Sequence, residues 1–294
     1  MTAATSPKYP GKFTLSVASG KGGTGKTTLA ALLARFYISQ GMPVRLLDCD
    51  VDEPNLNLHF ESELISTEPV TSMKPSLDQA LCDLCGRCEV ACRFNAIIVG
   101  RERIFIQEGL CHSCGGCILA CPKSALLKED KKIGVVETYG ASPGMDLITG
   151  RSAVGETALT KIIRQIRKHE SKTGINIIDS PPGTSCSLAA SVDDSDYCLV
   201  VAEPTEYGLH DMQLLLEALD KLRVPHGVLV NKHGFGNIDI RSFCNEKEIE
   251  FIGQIPFDTG FYSSSPKEMS LDSMPGEIRL AFLDASARIS EKIT

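Results

Sequence analysis

The sequence lacks any excess of positive charge: 30 Lys and Arg stand against 37 Asp and Glu, for a net charge of −7. A protein that tracks phosphates along nucleic acid needs the opposite balance, so no nucleic-acid partner is expected. The chain also lacks an apolar run long enough to cross a bilayer, so no stable membrane insertion is expected. Its first residues, MTAATSPKYPGK, lack the apolar core of a secretion signal and read as a short polar tail. These absences point to a cytoplasmic protein. A hydrophobic content of 43% over 294 residues suffices for one large α/β domain with a small insert.

Cysteine, by contrast, is plentiful, at 12 per chain. Disulfide scaffolds are short and exported; this chain is long and has no export signal. Eight of the 12 fall into two matching runs, LCDLCGRCEVACRFNAI at 81–97 and LCHSCGGCILACPKSAL at 110–126. Each has the spacing C-x2-C-x2-C-x3-C, and a cytosolic metal site is the better explanation. Zinc competes, because two C-x2-C pairs can make a four-thiolate site. A zinc ribbon does not call for a third and fourth cysteine at these offsets, twice over. The segment RIFIQ between the runs reads as a strand of a small sheet.

The other chemistry lies upstream. FTLSVAS at 13–19 has the β-branched, apolar character of a strand, and GKGGTGKTT follows at once. LAALLARFYISQ then shows helical spacing of apolar residues and stops before Gly41. Strand, glycine loop and helix in this order make a phosphate loop. Backbone N–H groups of Gly22, Gly23, Thr24, Gly25, Lys26, Thr27 and Thr28 turn around phosphate oxygens, aided by the helix dipole. Lys26 reaches the terminal phosphates, and the Thr27 hydroxyl binds Mg2+. Further strands are expected at PVRLLDCDVDE, INIIDSPPGTS, YCLVVAEPTE, GVLVNKHG and FIGQIPFD. Carboxylates follow the first two, at the ligand edge of a parallel sheet.

With Lys21 at its start, the loop K-G-G-x-G-K-T-T resembles the deviant Walker A loop of the MinD/ParA/Mrp superfamily, which includes the nitrogenase iron protein. The motifs run in family order from residue 13 to 258. The resemblance implies a SIMIBI-type P-loop NTPase with a mostly parallel, doubly wound sheet. It implies ATP hydrolysis to ADP in a homodimer, with Lys21 reaching the partner subunit's phosphates. Asp50 would orient the attacking water, Asp48 would lie near the Mg2+ shell, and Asp179 would hold Mg2+ through water. Gly183 would meet the γ-phosphate, Asn231 would contact adenine, and Pro256 would line the base pocket. Asp52 has no assignment and reads as solvated.

The cysteine runs resemble the bacterial two-cluster ferredoxin signature. That resemblance implies one [4Fe-4S] cluster on Cys82, Cys85, Cys88 and Cys121, and a second on Cys92, Cys111, Cys114 and Cys117. Arg93 stands where many ferredoxins have proline. The chain thus divides into an ATPase part at 1–67, an α+β ferredoxin-like insert at 68–136 and a second ATPase part at 137–294. The stretches STEPVTSMKPS and VVETYGASPGMDLITGRSAVGE, rich in turn formers, read as linkers. Of the remaining cysteines, Cys49 and Cys198 read as core residues and Cys244 is isolated. Cys186 is either a packed thiol or, as in the nitrogenase iron protein, a bridging ligand.

These expectations converge on an ATPase that gates electron transfer to an unidentified redox or iron–sulfur partner. A Mrp-type cluster carrier is the alternative, but those carriers use a C-x-x-C on the C-terminal side, and none follows residue 121. A MinD-like positioning switch would dock a C-terminal amphipathic helix on a membrane. GEIRLAFLDASARISEKIT instead reads as a helix packed on the domain. An amidoligase of the cobyrinate or dethiobiotin type is disfavoured by Lys21 and by the D-x-D at 48–50.

Overall fold

Residues Lys12–Ala18 form strand β1, whose two faces are both buried. Its neighbours in sequence and in space follow from the same alternation. In a computed structural model, which describes residues 11–142 and 144–293, the chain continues through β2 (Val44–Asp48), β3 (Glu63–Leu77), β4 (Ile97–Val99), β5 (Ile104–Ile106) and β6 (Leu126–Ser142). The later strands are β7 (Met145–Ser152), β8 (Gly174–Asp179), β9 (Tyr197–Ala202), β10 (His226–His233) and β11 (Phe251–Pro256). The polar tail at 1–10 lies outside the described residues.

The main sheet runs β11-β10-β9-β1-β8-β2-β7-β6-β3. From β11 to β7 every pairing is parallel; β7 to β6 and β6 to β3 are antiparallel. The period of two sorts each strand's side chains between two cores. Leu15 and Val17, Leu46, Ile177, Leu199 and Val201 face one side, against helices α1 (Lys26–Ser39) and α9 (Gly276–Ser290). Ala18, Cys198 and Val200 face the other, against α5 (Cys186–Val192), α6 (Glu206–Leu222) and α7 (Ile240–Glu246). Leu47, Cys49 and Ile178 pack there against α4 (Leu159–Arg167). This is the mostly parallel α/β sheet, covered on both faces, that the strand–loop–helix order predicts.

Helix α1 ends as its glycine suggests: the N–H of Gly41 donates to Ile38 O and that of Met42 to Tyr37 O, satisfying carbonyls of the last turn. Helix α9 buries Ile278, Phe282, Ala285 and Ile289, so it packs on the domain. Among the described residues no helix is long and apolar enough to cross a membrane. Cys49, Cys198 and Cys244 are buried, whereas Cys186 is exposed at the start of α5. The packed-thiol expectation for Cys186 is therefore corrected.

The two stretches expected to be linkers are strands. STEPVTSMKPS lies in β3 and VVETYGAS ends β6, paired from Glu63↔Gly140 to Leu77↔Leu126. Pro69 and Pro75 mislead because proline donates no ladder bond, yet β3 is the sheet's edge, where such a residue is tolerated. Beyond Gly134, β6 has left β7, and Thr71–Leu77 with Leu126–Lys132 continue as a two-stranded ribbon. The ribbon carries residues 78–125, which hold the β4–β5 hairpin, α2 (Arg87–Ala91) and α3 (Gly116–Leu119). Their buried cluster is small: Cys88, Ile97, Cys117 and Leu126. A last short helix, α8 (Thr259–Tyr262), follows β11.

Candidate nucleotide site and cysteine cavities

The phosphate loop connects β1 to α1 at the carboxyl end of the sheet, where ligands bind in open α/β folds. Gly25 precedes α1 with φ +87°, a left-handed conformation. A Cβ there would lie 2.3 Å from Asn231 Nδ2, so glycine is required twice over. Asn231, on β10, donates to Thr24 O at 2.7 Å and accepts from the Tyr262 hydroxyl at 2.6 Å. Its amide thus braces the loop.

A cavity of about 660 Å³ opens beside the loop, lined among others by Gly22, Lys26, Asp50, Lys232, Phe257 and Tyr262. Thr24 Oγ1, buried in its wall, has no hydrogen-bond partner among the described groups. Lys26 is buried, with Nζ 2.8 Å from Asp179 Oδ1 and 3.8 Å from Asp50. The Thr27 hydroxyl donates to Asp179 Oδ2 at 2.6 Å. One carboxylate therefore occupies both groups that would meet phosphate and Mg2+. Burial works against the Lys26 charge, but Asp179, Asp50 and Asp48 outweigh it and raise its pKa. Burial also pushes Asp50 up, to about 6, against the pull of Lys26.

Asp48 does not face the cavity. It is buried at the end of β2 and accepts the N–H groups of Asp50 and Leu56, at 3.2 and 3.0 Å. Burial, with Asp179 nearby, raises its pKa. It fixes the shape of the loop that presents Asp50. Gly183 donates its N–H to Ser19 O at 3.0 Å, which joins the loop after β8 to the phosphate loop. Pro256 ends β11, and the next residue, Phe257, lines the cavity instead. Lys21 forms an ion pair with Glu203 at 2.8 Å. Lys232 grips the same carboxylate at 2.5 Å and donates to Gly23 O at 2.6 Å. Burial opposes the Glu203 charge, yet the hydrogen bonds from Lys21 and Lys232 prevail and lower its pKa.

The eight clustered cysteines divide between two separate small cavities. One is walled by Cys82, Cys85, Cys88 and Cys121, the other by Cys92, Cys111, Cys114 and Cys117. Each thus takes three thiols from one run and the fourth from the other. The runs repeat at an offset of 29 residues, and so does the backbone. Leu84 and Ser113, Gly86 and Gly115, and Asn95 and Ser124 all have positive φ. Left-handed non-glycine residues cost about 1–3 kcal/mol each and persist where the surroundings demand them. Backbone N–H groups of Ala96, Ser113 and Ala125 donate to the sulfurs of Cys92, Cys111 and Cys121 at 3.3–3.4 Å. Among the described residues no three His, Cys, Asp or Glu side chains gather closely enough to hold one metal ion. A cubane asks for something else, four thiols spread around a hollow, and these cavities fit that demand.

The neighbours of the two hollows differ. Asp83 and Lys123 line the first; at the matching positions in the second stand His112 and Phe94, stacked at 4.0 Å.

The family of CobQ/CobB/MinD/ParA nucleotide-binding domains matches residues 15–271. The chain belongs to this family. It is an ATPase of the MinD/ParA type. An uncharacterized protein of Methanocaldococcus jannaschii is 36% identical over 246 residues, 83% of this chain and 84% of that one. The iron-sulfur cluster carrier protein of Pyrococcus abyssi is 23% identical over 264 residues, 84% of this chain and 75% of that one. The septum site-determining protein MinD of Pyrococcus horikoshii, complexed with Mg-ADP, shares the fold. Its TM-score is 0.58 at 16% identity, covering 95% of this chain and 96% of that one.

Within this MinD/ParA-type site, sequence reasoning missed Glu203, Lys232, Phe257 and Tyr262. Glu203 had a usable signal, since it is a carboxylate just past the end of a buried strand, as Asp50 and Asp179 are. Lys232 and Tyr262 carry no such mark, because only the fold brings them to the loop.

Proposed function

We propose that the chain is an iron–sulfur ATPase: a homodimeric switch that hydrolyses ATP to ADP with Mg2+ and couples this to electron transfer, through two [4Fe-4S] clusters, to a partner protein. The observation that carries this reading is the division of eight thiols, three plus one, between two cavities. Cys82, Cys85, Cys88 and Cys121 would hold one cluster, and Cys92, Cys111, Cys114 and Cys117 the other, in the ferredoxin-like insert at 68–136. When bound, such clusters accept and release single electrons at potentials set by their surroundings.

The chain's own residues would divide the ATPase work. Lys26 and the loop amides receive the β- and γ-phosphates. Thr27 and Asp179 would hold Mg2+, so Asp179 must release Lys26 when nucleotide enters. Asp50, presented by Asp48, takes the position facing the attacking water. Lys21 leaves Glu203 to reach the nucleotide of a second copy, adding positive charge where negative charge builds. The likeness to MinD and the pairing of Lys21 within a single chain support self-association.

The test is anaerobic. Reduced protein is mixed with a redox acceptor, with and without MgATP, and electron release is timed. MgATP dependence is expected; equal rates contradict gating. The carrier reading draws on relatives named for iron–sulfur cluster carriage. Rapid activation of an apo-ferredoxin by the purified protein would favour it.

A further inference from the structure

Lys74 is a cation in an unusual place. It lies on the ribbon half of β3, only 1% exposed, where an unpaired charge would be costly. Its Nζ donates to the carbonyls of Glu108 and Cys111, at 2.8 and 3.0 Å, and pairs with Glu156 at 3.2 Å. Cys111 opens the second cysteine run. Glu156 belongs to the ATPase body: its carboxylate accepts the N–H groups of Thr157 and Ala158, at 2.9 and 2.7 Å, just before α4 begins. Further bonds cross the same seam. The Thr157 hydroxyl donates to Gly109 O, and Lys161 on α4 donates to Ser72, which in turn bonds Ser113.

Helix α4 meets the Asp50 loop at its other contacts. Val51 packs in one buried cluster with Ala158, Ile162 and Ile163. The close fit runs over Gly150, where a Cβ would lie 2.4 Å from Ile166 and 2.8 Å from Val51. Ser152 donates its N–H to Val51 O at 2.9 Å and its hydroxyl to Asp52 at 3.1 Å. A cavity of about 260 Å³ is lined by Asp50 and Asp52 on the loop and by Leu159 and Ile163 on α4. The path through chain connectivity is poorer: β3 runs 15 residues from Glu63 before the cysteines begin.

We propose that Lys74 is a positioning residue that locks the lead-in to the second cysteine run onto the N-terminal end of α4, so that nucleotide-driven movement of the Asp50 loop is passed to the Cys92, Cys111, Cys114 and Cys117 cavity. Close-packed elements with two discrete arrangements carry such coupling, and the rigid contact over Gly150 makes α4 follow Val51 rather than yield to it. The first cysteine cavity, lined by Leu77, Asp83 and Lys123, has none of these contacts to α4 on its wall. The coupling is therefore one-sided. This deepens the function proposed above and rests on it, since that function supplies the reason for nucleotide to act on the insert.

Hydrogen exchange on the full-length protein, purified anaerobically, tests the lock without depending on turnover. Exchange at 108–113 is compared with and without Mg2+ and a non-hydrolysable ATP analogue. Wild type should show a nucleotide-dependent change there, and Lys74→Met should lose that change while still binding the analogue. A purely structural Lys74 would alter the baseline and leave the nucleotide-dependent difference intact, which would overturn the proposal. So would the absence of any difference in wild type. If Lys74→Met does not fold, Glu156→Gln carries the test: it keeps an oxygen for the Thr157 and Ala158 N–H groups, and an undiminished difference contradicts the lock. Iron analysis of the same sample reports separately on the clusters, so a failure of that reading is not mistaken for a failure of this one.

Discussion

Around β1 the buried side chains are mainly leucine, isoleucine and valine with alanine, methionine and aromatics, whereas in the insert half of the buried cluster is thiol: Cys88 and Cys117 beside Ile97 and Leu126. The body can bury enough apolar area to stand alone. The insert has a much smaller core, and units below about 70–80 residues usually add a metal or a crosslink to such a core. Its two hollows lie where a hydrophobic centre would otherwise be. The comparison teaches that apolar packing orders the nucleotide-binding body, whereas the cysteine segment has little such packing and, under the proposed function, would take its order from ligation.

The largest expected effect separates the two outright. Removing iron anaerobically with a chelator should abolish hydrogen-exchange protection across 78–125 while the body keeps its melting temperature and nucleotide affinity. Equal protection with and without iron would erase the distinction. The converse comes from the body. Phe282 is buried on α9 with its ring 6.2 Å from that of Phe36. Phe282→Ala should cost about 3–5 kcal/mol in thermal unfolding of the body, with the iron content unchanged. Next is Gly25→Ala, which meets both a left-handed φ, worth about 1–2 kcal/mol, and the Asn231 amide. Calorimetry should show nucleotide affinity lowered about tenfold or more, again without loss of iron. The smallest effect is expected at the exposed Cys186. Cys186→Ser should shift stability by no more than about 0.5 kcal/mol and leave the iron content alone; lost iron would assign it to a cluster.

Much of this was legible in the residues. The order of strand, glycine loop and helix fixed the place of Lys26 and Thr27, because that motif is local and its geometry repeats wherever it occurs. The four-cysteine spacing, repeated 29 residues on, is matched by two cavities that are each lined by four cysteines. Legibility failed where structure depends on distant partners. The paired strands β3 and β6 have little apolar alternation, and β3 contains Pro69 and Pro75, so the stretch resembles a linker until its place at the sheet edge is known. Lys74 looks like any surface lysine on a charged strand; only the approach of Glu156, 82 residues away, makes it a buried pair. Lys21 could be placed by its motif, and Glu203 by its position just past a buried strand, but their pairing could not be read before the fold brought them together.

The most direct test is a low-temperature electron paramagnetic resonance titration of the anaerobically purified protein, poised over a range of potentials with and without MgATP. The account predicts signals from two reduced [4Fe-4S] clusters, with the potential of at least one displaced by MgATP. A spectrum with no cluster signal at any potential, or two clusters whose potentials ignore MgATP, would contradict it.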